Sequence, residues 1–177
     1  LQKERGMTAG FLGSKGTKFG SNLRTQRQNT DQKRTKNTSF WHEQDFKRNE
    51  VVQLNSAIEH ALQQIDTIRQ QVDAQKISIG EAIGYYSQLN KDLLSVAVIN
   101  AEISTDALVT KETIAYYNFL QGKERAGIER AVLSNTFAKN EFSAAMFAKF
   151  ITLVSEQNTF FNGFKSFSNA ENITFFD

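Results

Sequence analysis

The residues best suited to chemistry in this chain are arginines in two similar segments. Residues 123–131 read KERAGIERA, and residues 3–10 read KERGMTAG. Each segment combines basic and acidic side chains with glycine and other small residues. A guanidinium group stays charged at every relevant pH and presents five N–H donors in a planar fork, which suits a small oxyanion. The two segments therefore predict an anion site to which two helices contribute arginines.

Helical spacing favours particular arginines as the ligands. Gly127 lies one turn before Arg130 and Ser134 one turn after it, so the side chain of Arg130 would follow a groove of small residues. Arg125 points about 140° away from Arg130 around the helix axis. We therefore expect Arg5 and Arg130 to bind the anion, with Arg125 as a reserve candidate.

The smaller residues of the two segments complete the predicted site. Thr8 lies one turn after Arg5 and could add a hydroxyl donor. Gly6 and Gly127 each cost about 1 kcal/mol relative to alanine inside a helix, which indicates close approach by another group. The predicted anion ligands are therefore Arg5, Arg130, Thr8 and Gly127.

A structural role for the arginines is the alternative. Arg5 and Arg130 could instead form ion pairs with Glu4, Glu124 or Glu129, and such pairs on helices are common and weak. In that case the chain would be a helical dimerisation or interaction module that binds no small ligand.

The sequence lacks the side chains that an enzyme or a metal site would need. His42 and His60 lie on different predicted helices without a partner at metal-ligand spacing, and the 177 residues contain no cysteine. No phosphate-binding glycine loop or nucleophile motif is present. We therefore expect a protein that is not an enzyme and that holds no metal and no cofactor.

Composition indicates one helical domain. The chain has 177 residues, no proline and a net charge of +2, too weak a balance to indicate nucleic-acid binding. Apolar residues recur at steps of three and four. This spacing predicts an all-α fold, an antiparallel helical bundle of long helices with extra shorter helices at the N-terminus. Sequence patterns place helices at about residues 1–12, 18–27, 31–50, 51–74, 79–104, 106–137 and 142–167.

Capping patterns and aromatic residues refine that prediction. Thr30 and Asp31 would start a new helix, Ser78 and Glu81 form a capping-box pattern, and Asp106 would cap the next long helix. A break is predicted at residues 139–141. The last long helix carries phenylalanines at helical spacing, which we expect in the core: Phe142, Phe147, Phe150, Phe160, Phe161, Phe164 and Phe167.

The two segments and two blocks between them resemble a known family, the nitrate- and nitrite-sensing (NIT) domains. The resemblance rests on residues 1–9, 26–31, 68–73 and 123–131, which occur in the family's order and span nearly the whole chain. It implies an all-helical sensor module of the kind found in bacterial chemoreceptors, histidine kinases and transcription antiterminators. It also implies that nitrate or nitrite is held by one arginine of the first block and one of the last, here Arg5 and Arg130.

From these observations we expect a ligand-binding sensor domain over residues 1–177, excised from a longer signalling protein. We predict a methyl-accepting chemotaxis receptor whose sensor domain is periplasmic and whose full-length protein is anchored in the inner membrane, with a cytoplasmic location as the alternative. The expected partners are a small oxyanion and a second copy of the chain, and we expect no nucleic acid.

Overall fold

The computed structural model describes residues 1–139 and 141–177, and at positions 134, 135, 138 and 139 it describes the backbone alone. The described residues form helices and no strand, which confirms the predicted all-α class. The helices are α1 (Gln2–Gly13), α2 (Gly20–Glu43), α3 (Asn49–Gln63), α4 (Ile65–Asp73), α5 (Ile79–Ile103), α6 (Ala107–Lys139), α7 (Ala144–Phe167) and α8 (Ala170–Phe176). The predicted break at 139–141 includes Asn140, which lies outside the described residues.

The chain divides into two compact units, which are described separately. Unit 1 comprises Leu1–Leu93 and unit 2 comprises Leu94–Asp177. The sequence-based assignment of one sensor domain to residues 1–177 stays a prediction.

Helix α2 is longer than the sequence indicated. It continues through Thr30 and Asp31, where a new helix was predicted to begin. Thr30 is buried, and the Asp31 carboxylate accepts a hydrogen bond from Arg69. The predicted cap is wrong because a capping side chain has to accept from the amides of its own first turn.

The apolar stripe predicted over residues 51–74 belongs to two helices. Helix α3 ends at Gln63 and α4 begins at Ile65, while Ile58, Leu62, Ile65 and Val72 are all buried. The spacing thus identified the inward-facing residues but not the interruption between the helices.

Both predicted caps of the later helices are confirmed. The backbone N–H of Ser78 donates to Glu81 Oε2 at 3.0 Å, and the N–H of Glu81 donates to Ser78 Oγ at 3.2 Å. Asp106 Oδ1 accepts from the N–H of Leu108 at 2.8 Å. These side chains satisfy first-turn donors that the helix itself leaves unpaired.

The apolar core of unit 1 joins four helices. Leu12 of α1, Leu23 of α2, Val72 of α4 and Ala82 of α5 form one buried cluster. Partly buried apolar residues surround that cluster: Met7, Phe11, Ile68 and Ile77. Burial of this surface draws α1 onto the other three helices.

A buried ion pair lies beside this core. Glu4 is fully buried, and Arg69 holds it with two hydrogen bonds, Nε to Oε1 at 2.8 Å and Nη2 to Oε2 at 3.1 Å. Tyr86 Oη donates to Glu4 Oε1 at 2.9 Å. Arg69 Nη1 also donates to Asp31 Oδ1 at 2.7 Å and to Asp66 Oδ1 at 3.3 Å. The network therefore connects α1, α2, α4 and α5 at one point.

Unit 2 is organised by the antiparallel helices α6 and α7. Arg125 Nε of α6 donates to Glu156 Oε2 of α7 at 3.0 Å, whereas Gly122, nearer the start of α6, faces Phe161, nearer the end of α7. Helix α8 packs against both, and the ring of Phe176 lies 5.1 Å from that of Phe161 and 6.2 Å from that of Phe119, centroid to centroid.

The prediction that the phenylalanines of the last long helix form a core is confirmed only in part. Phe164 is buried, whereas Phe142, Phe147 and Phe167 are 41%, 51% and 40% exposed. Phe142 precedes the first residue of α7 and Phe167 is its last residue. Phe147 lies about 120° around the helix from the buried Leu153. Phe142 and Phe167 are therefore exposed because they lie at the ends of α7. Phe147 is exposed because it lies on a different face of the helix from Leu153.

Among the described residues, no helix combines the length and apolar character needed to cross a bilayer.

Removal of Arg69 should destabilise the protein strongly. Arg69→Met leaves the fully buried Glu4 carboxylate without its cation, and loss of one partner of a buried pair costs about 3–5 kcal/mol. The control is Arg34→Met, because Arg34 also binds Asp66 but both side chains are partly exposed. It should cost less than about 1 kcal/mol. Urea unfolding measures both, and equal losses would contradict the structural role of the buried pair.

Stability should also depend on pH through Glu4. Burial by itself raises the pKa of the Glu4 carboxyl, but hydrogen bonds from Arg69 and Thr30 and the charge of Arg69 outweigh it and hold this pKa below its ordinary value. The stabilisation is therefore complete above the ordinary glutamate pKa and is lost as pH falls toward the folded-state pKa.

The variant Glu4→Gln isolates this contribution to the pH dependence. Its free energy of unfolding should be lower than that of the wild type at neutral pH and should fall less steeply on acidification. Unfolding curves between neutral and acidic pH provide the measurement, and parallel curves for the two proteins would contradict the assignment to Glu4.

The close packing of α6 on α7 yields a further expectation. A β-carbon at Gly122 would lie 2.7 Å from Phe161 Cδ1, whereas one at Gly84 in α5 would meet nothing within 4 Å. Gly122→Ala should therefore destabilise the protein by about 1–3 kcal/mol through overpacking. Gly84→Ala should stabilise it by up to about 1 kcal/mol through helix propensity. Urea unfolding of both variants tests this, and a neutral Gly122→Ala would contradict the packing.

Candidate anion site

Arg5 is a buried cation at the α1–α5 contact of unit 1. Its side chain is largely withdrawn from solvent, and Nη1 donates to Ser87 Oγ at 3.0 Å. Helices α1 and α5 run antiparallel, because Glu4 pairs with Tyr86 whereas Gly13 lies against Ile79. The site predicted from sequence thus has one of its arginines inside the protein, fixed by a neutral side chain of a neighbouring helix.

Glu4 forms its ion pair with Arg69, and not with Arg5 as the alternative role of Arg5 proposed. The Glu4 carboxylate accepts two hydrogen bonds from Arg69 and one from Tyr86. Successive residues of a helix point about 100° apart, so Glu4 and Arg5 face different neighbours. Glu4 consequently fixes the position of α1, and Arg5 projects from the helix that Glu4 holds.

Thr8 lies on the same side of α1 as Arg5, one turn further along the helix. Its side chain is fully buried. Thr8 Oγ1 makes no hydrogen bond of good geometry within the described part of the chain, although burial raises the pKa of the Tyr86 phenol and the Thr8 hydroxyl lies close enough to lower that pKa in part. An unpaired buried hydroxyl is unfavourable by roughly 1–3 kcal/mol. Arg5 and Thr8 thus lie one turn apart on α1 in unit 1, and their common role as anion ligands stays a prediction.

The inference drawn from Gly6 is wrong. Gly6 is exposed, and a β-carbon built at this position would meet no atom within 4 Å. Close approach by another group therefore does not explain this glycine. In this turn the contacts with other helices are made by Glu4, which binds Arg69, and by Arg5, which binds Ser87.

In unit 2, α6 carries the other predicted ligands. Arg130 is exposed and Gly127, one turn before it, is half-buried. The groove of small residues predicted around Arg130 also involved Ser134, whose side chain lies outside the described residues.

Arg125, the reserve candidate, is held within unit 2. Its Nε donates to Glu156, its Nη1 to Gln121, and its guanidinium carbon lies 4.8 Å from the centre of the Phe160 ring. Glu129 accepts a hydrogen bond from Gln157. The carboxylate and the ring occupy the fork of Arg125, which favours Arg130 over Arg125 as an anion ligand.

The predicted residues thus fall into two sets. Unit 1 holds Arg5 and Thr8 on one face of α1, and unit 2 holds Gly127 and Arg130 one turn apart on α6. Each set is described within its own unit. The participation of both sets in binding one anion stays a prediction.

The sequence analysis missed polar residues on α5. Ser87 accepts from Arg5, and Asn90, one turn later, is buried. A signal was available, because these two polar residues at a spacing of three lie along an otherwise apolar helix face. Arg69 was missed as the partner of Glu4, since nothing in a sequence reveals which of many arginines lies across from a given carboxylate.

Comparisons with known proteins show what this chain is similar to. The family described as nitrate and nitrite sensing matches residues 1–177. The nitrate regulatory protein of Klebsiella oxytoca is 28% identical over 115 residues, which cover 65% of this chain and 29% of that protein. The solved structure of the NasR transcription antiterminator superimposes with a TM-score of 0.93 at 25% identity, covering 99% of this chain and 48% of that chain. The chain therefore spans less than half the length of either relative.

These relatives correct the predicted biological setting. They are named as a nitrate regulatory protein and a transcription antiterminator, so the predictions of a chemotaxis receptor and of a periplasmic domain are wrong. The resemblance to the family covers chemoreceptors and transcription antiterminators alike, so it could not decide between these settings.

The predicted partners need the same correction. A transcription antiterminator acts on transcription, so the exclusion of nucleic acid and the expectation of a membrane anchor are contradicted by this relative. The weak net charge describes these 177 residues, which span 48% of the antiterminator chain. It carries no information on the rest of a longer protein. The expected homodimer stays a prediction.

The arginine segments resemble those of nitrate- and nitrite-sensing domains, and the match to that family covers every residue from 1 to 177. The chain belongs to the family of nitrate and nitrite sensing domains.

Proposed function

We propose that this chain is the input domain of a regulatory protein and that it binds nitrate or nitrite through Arg5. The observation that carries the proposal is that Arg5 is a buried cation on α1, one helical turn before the fully buried hydroxyl of Thr8. The family match over residues 1–177 supports this choice of ligand.

The chemistry of the ligand suits these donors. Nitrate and nitrite are small planar anions whose oxygens accept hydrogen bonds in the plane of a guanidinium fork. Nitrate has four heavy atoms, and a ceiling of about 1.5 kcal/mol for each of them gives about 6 kcal/mol of binding free energy. The expected dissociation constant is therefore tens of micromolar or weaker.

Thr8 belongs to the same proposal and donates its hydroxyl to the anion. Gly127 and Arg130 lie in unit 2, and their part in anion binding stays the prediction made from the sequence. Arg130 is preferred to Arg125 because Arg125 already binds Glu156 and stacks on Phe160.

A signal can arise because α1 carries both Arg5 and Glu4. The Glu4 network connects α1 to α2, α4 and α5, so a shift of α1 is transmitted to these helices. Displacements of an ångström or two suffice when the packed element has two arrangements of similar free energy.

The output of the proposed sensor follows from its relatives. A nitrate regulatory protein and a transcription antiterminator both match this chain. We propose that the regulatory protein to which this domain belongs controls transcription in response to the anion.

Calorimetric titration of the protein with sodium nitrate and sodium nitrite tests the proposal. We expect a dissociation constant of tens of micromolar or weaker for the wild type. Arg5→Lys keeps the charge but removes the planar fork, and should weaken binding at least about tenfold. Arg130→Lys and Arg125→Lys test which arginine of α6, if either, is also an anion ligand, as the sequence predicts for Arg130.

The matched control is Arg24→Lys, because Arg24 is exposed on α2. It should bind nitrate with wild-type affinity. A folded wild-type protein that shows no binding to either anion up to about 10 mM would refute the proposal. Sedimentation equilibrium would then examine the alternative role as a dimerisation module.

A further inference from the structure

Asn90 of α5 is a buried amide group with an unused donor. Asn90 is 6% exposed, and over the described part of the chain its Nδ2 has no hydrogen-bond partner. A buried N–H without an acceptor is destabilising unless a bound group supplies one. A ligand oxygen would supply that acceptor.

Asn90 lies one helical turn from the residue that accepts a hydrogen bond from Arg5. Ser87, which accepts from Arg5 Nη1, lies one turn before Asn90, so Ser87 and Asn90 are neighbours on the helix surface. Helices α1 and α5 are antiparallel, as the pairs Glu4–Tyr86 and Gly13–Ile79 require.

The direction of the Arg5 side chain also favours a site near Asn90. Side chains of a helix lean toward its N-terminus. In this antiparallel pair, the N-terminal direction of α1 is the direction in which α5 runs from Ser87 to Asn90. The guanidinium of Arg5 therefore extends toward the turn that contains Asn90.

We propose that Asn90 Nδ2 donates a hydrogen bond to the small oxyanion bound by Arg5, and that Ser87 is a positioning residue for the Arg5 fork. This inference rests on the proposed function. A neutral donor in this place adds affinity without adding charge. It selects ligands that offer an acceptor oxygen beyond those bound by the guanidinium.

The test compares nitrate affinity and thermal stability in single variants of Asn90. Asn90→Leu preserves the size of the side chain and removes the donor, so nitrate binding should weaken about tenfold to a hundredfold, the range for a hydrogen bond to a charged group. Its melting temperature without ligand should equal or exceed that of the wild type, because the unpaired amide has been removed. Asn90→Asp places a carboxylate beside the anion and should weaken binding more than Asn90→Leu does.

Asn37 provides the matched control. Its Nδ2 is likewise buried without a partner in the described part of the chain, but it lies on α2. Asn37→Leu should leave nitrate affinity unchanged. If Asn90→Leu does not fold, Asn90→Ala gives the same comparison.

The outcomes separate this inference from the proposed function. Absence of nitrate binding in the wild type would remove both. Binding in the wild type with equal affinity in Asn90→Leu would overturn the role of Asn90 alone. A weakened Asn90→Leu with a lowered melting temperature, or an Asn90→Asp that binds as tightly as the wild type, would also overturn it, since each indicates a structural role.

Discussion

The buried ion pair between Glu4 and Arg69 is the constraint on which unit 1 depends. A carboxylate that is fully withdrawn from water has to be compensated by a cation with good geometry, and two hydrogen bonds from Arg69 provide that compensation. The apolar core draws four helices together without fixing their register, because apolar attraction has no direction. The ion pair has direction, and it therefore sets where α1 lies.

Two neighbouring residues of α1 thus serve different purposes. Glu4 anchors the helix, and Arg5 projects from the anchored turn toward Ser87. Magnitudes decide how a ligand could act on this arrangement. A small anion contributes about 6 kcal/mol at most, and breaking the buried pair costs about 3–5 kcal/mol. Rupture would consume most of the binding free energy, so a ligand-driven shift of α1 would carry the paired residues with it.

Local patterns in the sequence were sufficient for the helices and their caps. Apolar spacing identified the inward faces, and the serine and glutamate of the capping box bind each other as expected. The continuous course of α2 through Thr30 and Asp31 was not predictable in this way. It depends on Arg69, which lies 38 residues beyond Asp31 and occupies its carboxylate. Local propensity cannot register a partner so distant in sequence.

The candidate site was likewise predictable where local patterns were sufficient and not where a distant partner decided. The arginine segments were recognisable because charge and small residues occur together, and Thr8 followed from helical spacing. Ser87 and Asn90 were overlooked because polar residues on α5 became meaningful only when Arg5 was found against that helix. The exposed phenylalanines of α7 were misjudged for a related reason, since spacing does not reveal how far a neighbouring helix extends.

The ion pair also has a consequence for how such sequences can diverge. Replacement of Arg69 alone leaves Glu4 as a lone buried charge, which selection would remove, whereas replacement of Glu4 alone leaves Arg69 paired with Asp31 and Asp66. Drift at these two positions is therefore tied. Descendants of this chain can lose Arg69 only together with Glu4 or after it.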